Sequence, residues 1–131
     1  MSETSQRMVW IDLEMTGLDL ERESIIEIAT VITDSELNIL ATGPNLAIKV
    51  PQELLDGMDE WNTRHHHGSG LVQRIHEEGK DLNDAQQATV EFLEEWIEPG
   101  TAPLCGNSVW NDRQFLAKEM PAVLELLHYR M

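Results

Sequence analysis

Two acidic residues, Asp12 and Glu14, stand two positions apart in MVWIDLEM, Met8–Met15, where apolar and polar residues alternate. A strand turns successive side chains to opposite faces, so Trp10, Asp12 and Glu14 share one face and Val9, Ile11 and Leu13 the other. Like charges about 5 Å apart repel by roughly 3 kcal/mol at an effective dielectric of 20. A sheltered pair therefore needs a cation, a shared proton or water. Acidic, oxygen-rich sites suit Mg²⁺ or Mn²⁺. A bare D-x-E in an acidic protein is more often the wet face of an edge strand, so the pair has to be weighed with its surroundings. Downstream, CGNSVWNDRQFL carries Asp112 near the start of a predicted helix. Ser108, after Gly106 and Asn107, stands at the mouth of that helix, where a hydroxyl and free amides either meet a phosphate or simply cap the helix. His65, His66 and His67 are consecutive. Adjacent residues cannot all point at one ion, and no cysteine accompanies them, so they read as solvated loop histidines.

The elements that must position these groups can be read from hydrophobic period. Met8–Met15 and the β-branched run Ile25–Thr33 predict two strands joined through the Gly-containing turn TGLDLERES. Ile39–Val50, interrupted by Gly43 and Pro44, predicts a third strand with a bulge or bend, ended by Pro51. Short helices are expected at Gln52–Met58 and Leu71–Glu78, separated by the polar loop NTRHHHGSG. The longest helix should begin at Asn83, with Asn83 and Gln86 resembling a capping box, and stop before Pro99 and Gly100. Ala102–Cys105 predicts a strand feeding a helix over Val109–Met120, and Leu126–Met131 looks like the approach to another strand. This order implies an α/β fold, a mixed sheet with helices packed on it.

Composition excludes several classes. A chain of 131 residues suits one domain, and 41% hydrophobic with 25% charged residues is globular rather than disordered. Lys plus Arg total 9 against 24 Asp plus Glu, a formal charge of −15, which argues against gripping long duplex DNA by charge neutralisation. No stretch reaches the roughly 20 apolar residues of a membrane span. MSETSQRM lacks the basic start and apolar run of a signal peptide, and Cys105 is the lone cysteine, so a reducing, cytoplasmic setting is expected.

Taken together, WIDLEMTGLD, IIEIA, LNILATGPN, MDEWN, the SGL after the histidines, GNS with its following Asp, and HYR resemble the oligoribonucleases, DEDD-superfamily exonucleases with a ribonuclease H-like fold. The resemblance runs from about Met8 to Arg130. It implies a 3′-to-5′ exoribonuclease domain spanning residues 1–131 that degrades short RNA, chiefly dinucleotides, to mononucleotides with two Mg²⁺ or Mn²⁺ ions, as a homodimer. Asp12, Glu14 and Asp112 match three of the four metal-holding acids, and Tyr129 matches a residue that reaches the active site across the dimer. Leu18 and Trp61 match residues that wedge and stack the bases. His66 falls near the substrate phosphate, and Ser108 and Arg130 would close the 5′-phosphate end. The bland alternatives are a loop residue packed on the core for Leu18 and an ordinary core aromatic for Trp61.

The pattern also requires a fourth Asp and, about five residues before it, a His as general base, on a helix near the C-terminus. Neither occurs here, and the five histidines lie elsewhere. The expectation is thus a domain truncated at its C-terminus, lacking an edge strand and the His/Asp helix. Its rival is a catalytically inactive fragment serving as a nucleotide-binding or dimerisation module. A proofreading-type DNA exonuclease is disfavoured by MDEWN, GNS and HYR. Trp110 and Asn111 fill positions where the family pattern has other residues.

Overall fold

A computed structural model describes residues 7–106 and 109–128. Among them the order is β1 (Met8–Met15), β2 (Ile25–Thr33), β3 (Ile39–Ala47), α1 (Gln52–Asp56), α2 (Glu60–Gly68), α3 (Leu71–Glu78), α4 (Leu82–Trp96), β4 (Leu104–Cys105), α5 (Val109–Glu119) and α6 (Pro121–Glu125). The strands form one sheet in the order β3-β2-β1-β4, with β1–β2 and β2–β3 antiparallel and β1–β4 parallel. The α/β reading and its mixed sheet hold.

Alternation in β1 does what its sequence demands. Val9, Ile11 and Leu13 are buried in the main core while Asp12 is exposed on the opposite face. Opposite them, Ile28, Thr30 and Ile32 of β2 present the same inward face. Between Glu14 and Met15 the register slips, so that Glu14 faces Glu27 but Met15 faces Ile25. Ile26 is the extra residue of this bulge, and a one-residue slip exchanges faces. Ile25 accordingly enters the main core with α4, α5 and α6, while Ile26 enters a second apolar cluster with Leu55, Met58, Leu71, Val72 and Ile75. Helices therefore pack on both sides of one strand end. Arg74 of α3 reinforces the second cluster with a 2.6 Å ion pair to Glu27.

The expected bulge in β3 is present. Asn45 pairs with Ala29 and Thr42 with Val31, leaving Gly43 and Pro44 opposite Thr30. A Cβ on Gly43 would meet the Phe92 ring at 2.6 Å, so the glycine lets α4 lie close.

Other expectations need correction. β3 ends at Ala47 rather than Val50, because Ile48 forms a parallel bridge with Lys80 instead. NTRHHHGSG is largely helical: α2 begins one residue before Trp61 because the Asp59 side chain accepts from the Asn62 amide, capping the helix. The capping box at Asn83 does not form. α4 starts at Leu82 after Asp81, and the Gln86 side chain instead accepts from the Ala122 amide. Met120, expected to finish α5, is the N-cap of α6, whose first residue is Pro121. Leu126, expected to open a strand, is the C-cap of α6, and residues 129–131 lie outside the described residues.

Candidate active site

The acidic face of β1 opens into a cleft of about 690 Å³ lined by Asp12, Glu14, Leu18, Trp61, Asn111 and Asp112 among others. This volume is in the usual range of small-ligand sites. β1 and the first turn of α5 supply the three carboxylates. The approach of α5 depends on Gly106, just after β4: its φ is 153°, and a Cβ there would lie 2.8 Å from the Ile11 carbonyl oxygen. Only glycine lets the chain pass against β1 at this point. The same Cβ would lie 3.9 Å from Asp112 Oδ2, which measures how closely the passage brings that carboxyl to the strand.

Burial and mutual charge set the electrostatics. Asp112 is 4% exposed. Its carboxyl is pushed up to about 7, first by burial and then by the charges of Asp12 and Glu14. Glu14 is also raised, by burial first and then by Asp12, while the nearby His65 acts in the opposite sense. A carboxyl pair, Glu14 and Asp112, held toward the protonated form by burial and then by neighbouring negative charge fits a hard divalent cation, which would relieve both.

Leu18 and Trp61 are 73% and 64% exposed, so the core alternatives describe neither. Both stand at the cleft, on the loop after β1 and on α2 respectively. The His65 ring stacks on Trp61, with centroids 4.8 Å apart and planes at 14°. His66 departs most from the sequence expectation of a solvated loop residue. It is buried, and its Nε2–H donates to the Met15 carbonyl at 2.9 Å. Burial drives its pKa down. Ser108, Tyr129 and Arg130 lie outside the described residues.

Sequence reasoning missed a clasp around the loop that carries Leu18. The Thr16 hydroxyl donates to Glu23 Oε1 at 2.9 Å and accepts from the Ser24 amide at 3.1 Å. Lys118, near the end of α5, donates to the Leu20 carbonyl and, at 2.8 Å, to the Glu23 carbonyl. Glu119 accepts from the Ile25 amide at 2.8 Å. The helix that supplies Asp112 thus also holds the base of the Leu18 loop. A signal was available only in retrospect: both partners are more than 90 residues apart in sequence, and no local period marks them.

The exonuclease family model RNase_T matches residues 9–131. The oligoribonuclease of Ectopseudomonas mendocina strain ymp is 56% identical over 123 residues, covering 94% of this chain and 68% of the relative. That of Yersinia enterocolitica is 54% identical over 130 residues, covering 99% and 72%. The chain belongs to the oligoribonuclease family. Among solved structures, a product-bound exonuclease I matches with a TM-score of 0.58 at 17% identity, over 84% of this chain and 24% of that one. Exonuclease I of E. coli, in complex with a 5cy-dA13 oligonucleotide, matches with a TM-score of 0.55 at 18% identity, over 84% and 22%. At these identities the structures bear on the fold. Among the described residues no helix is long and apolar enough to cross a membrane.

Proposed function

We propose that this protein is a 3′-to-5′ exoribonuclease that cleaves very short RNA, finally dinucleotides, to mononucleotides in the cytoplasm. The observation that carries the reading is the convergence on one cleft of three carboxylates, two of them with raised pKa, and two exposed apolar side chains. Asp12, Glu14 and Asp112 would hold Mg²⁺ or Mn²⁺. Divalent ions there supply activation of water and stabilisation of the leaving oxygen at a phosphodiester. Leu18 would wedge between two bases and Trp61 stack on one, contacts worth about 1–3 kcal/mol per base and tolerant of sequence. The family resemblance adds His66 beside the substrate, Ser108 and Arg130 at the 5′-phosphate, and Tyr129 reaching the site from the second subunit of a homodimer.

The net charge of −15 is compatible with this substrate class. A dinucleotide brings few charges, which bound cations and Arg130 can balance locally, whereas a longer strand would run against an acidic surface. The test is equilibrium binding with Mn²⁺ of a 5′-phosphorylated dinucleotide against a ten-nucleotide RNA, read beside release of labelled mononucleotide. We expect preference for the dinucleotide and loss of release in Asp112→Ala. Equal affinity for both lengths would overturn the reading.

A further inference from the structure

We propose that Glu14, His65 and His66 form a second metal site, chemically distinct from the acidic one, which takes Zn²⁺ through two imidazole nitrogens and one carboxylate oxygen. Among the described residues these three side chains are the set whose ligating atoms come together, all within 4.8 Å of one another. Adjacent residues on a helix diverge, yet here the His65 and His66 rings meet edge to face with centroids 5.2 Å apart, so both border the Glu14 carboxylate.

The protonation pattern of His66 is that of a ligand in waiting. A carbonyl can only accept, so the 2.9 Å contact with Met15 places the ring proton on Nε2 and leaves the lone pair on Nδ1. His66 is 1% exposed, and Nδ1 has no hydrogen-bond partner. An orphaned buried acceptor is unfavourable, and a metal bond to it would remove that penalty. Donation of the other ring nitrogen to a backbone carbonyl is the outer-shell contact that orients metal-ligating histidines. His65 is exposed, so a side-chain torsion can turn its ring from the face of Trp61 toward Glu14. That movement suffices. Ligands at about 2.0–2.2 Å from a tetrahedral ion lie roughly 3.3–3.6 Å from one another, not far inside the observed spread.

The donor set decides the ion. Imidazole suits Zn²⁺, and stability on nitrogen ligands rises along the divalent series from Mn²⁺, whereas Mg²⁺ and Mn²⁺ prefer the oxygens of Asp12 and Asp112. Glu14 belongs to both sets, so Zn²⁺ would withdraw it from the acidic site. It would also pull His65 off the face of Trp61. On the exonuclease reading, Zn²⁺ would then be an inhibitor that Mg²⁺ or Mn²⁺ does not readily displace.

Metal-free protein titrated calorimetrically with Zn²⁺ and, separately, Mn²⁺ tests this, with Co²⁺ as a coloured reporter of nitrogen ligation. His65→Ala alters an exposed side chain and should leave folding intact by circular dichroism. It should weaken Zn²⁺ at least tenfold, abolish the visible Co²⁺ bands and leave Mn²⁺ binding unchanged. Asp112→Asn should do the reverse, weakening Mn²⁺ and sparing Zn²⁺. Zn²⁺ should alter the tryptophan emission of the wild type and not that of Trp61→Phe. Zn²⁺ affinity indifferent to His65→Ala, or lost only in Asp112→Asn, would put Zn²⁺ on the carboxylates and end the proposal. Mn²⁺ binding indifferent to Asp112→Asn would instead count against the acidic site and leave this one standing.

Discussion

Asp112 is where the site's chemistry meets the protein's stability. Its folded-state pKa of about 7 lies above the ordinary 3.8, so the folded protein binds this proton more tightly than the unfolded chain does. For such a group the stabilising contribution is complete below the ordinary value and is lost as pH rises through the folded one. Without metal, therefore, thermal unfolding should occur at lower temperature at pH 8 than at pH 5, and Asp112→Asn should flatten that dependence. Scanning calorimetry in chelator across this range is the check, and a melting temperature that rises with pH in the wild type alone would contradict the assignment. A cation must displace the same proton, so Mn²⁺ affinity should climb between pH 6 and pH 8. Leu18→Ala and Trp61→Ala would each remove one contact with a base, and we expect dinucleotide affinity to fall about 5- to 150-fold, matching roughly 1–3 kcal/mol. Titration by fluorescence anisotropy measures it. At this scale the sequence was legible where types and spacing carry the message. D-x-E in an alternating strand predicted two carboxylates on one face, and they are there. It misled on His66, which reads as a solvated loop residue because three consecutive histidines look alike until the helix phase turns one of them inward.

At the scale of elements, the bulge after Glu14 is the pivot between two packed layers. Ile26 is fully buried in the second cluster while its neighbour Ile25 serves the first. Ile26→Ala should cost about 2–5 kcal/mol, the range for truncating a buried aliphatic side chain. Urea denaturation reads that loss. Because the cluster includes α1 and α3 residues and β2 lies beside β1, the same variant should also loosen dinucleotide binding; a stability loss with unchanged binding would show that the two layers are independent. Strands were the most legible elements, since alternation and β-branched runs survive any tertiary context. The capping box failed for a physical reason: Gln86 found a better partner in the Ala122 amide of α6, a contact invisible to local pattern. The histidine segment reads as a loop because it is polar throughout, and only the Asp59 cap marks it as the start of a helix.

For the molecule as a whole, the chain spans 68–72% of the length of the oligoribonucleases of Ectopseudomonas mendocina and Yersinia enterocolitica. On the proposed reading, Asp12, Glu14 and Asp112 would supply three of the four acids of the DEDD pattern, and none of the five histidines in residues 1–131 would stand at the general-base position. Loss of a general base alone typically costs about 10²–10⁴ in rate. Expressed as these 131 residues, the protein should therefore turn over a labelled dinucleotide at least about 100-fold more slowly than a full-length relative assayed beside it with Mn²⁺. Rates within tenfold of each other would show those groups to be dispensable. The strand order β3-β2-β1-β4 came from the structure, whereas the mixed α/β architecture was legible from the order of elements. The long-range ties were not, and the most consequential is the clasp in which Lys118 and Glu119 hold residues 20–25. Loops that flank active sites commonly open on their own, at far lower free energy than the domain unfolds. Tied to α5 through a lysine and a carboxylate, this one should open only with the helix. Amide hydrogens such as those of Thr16, Ser24 and Ile25 should then exchange with solvent at rates set by the opening of α5, and the wedge and the acid on either side of the cleft would be lost or regained together.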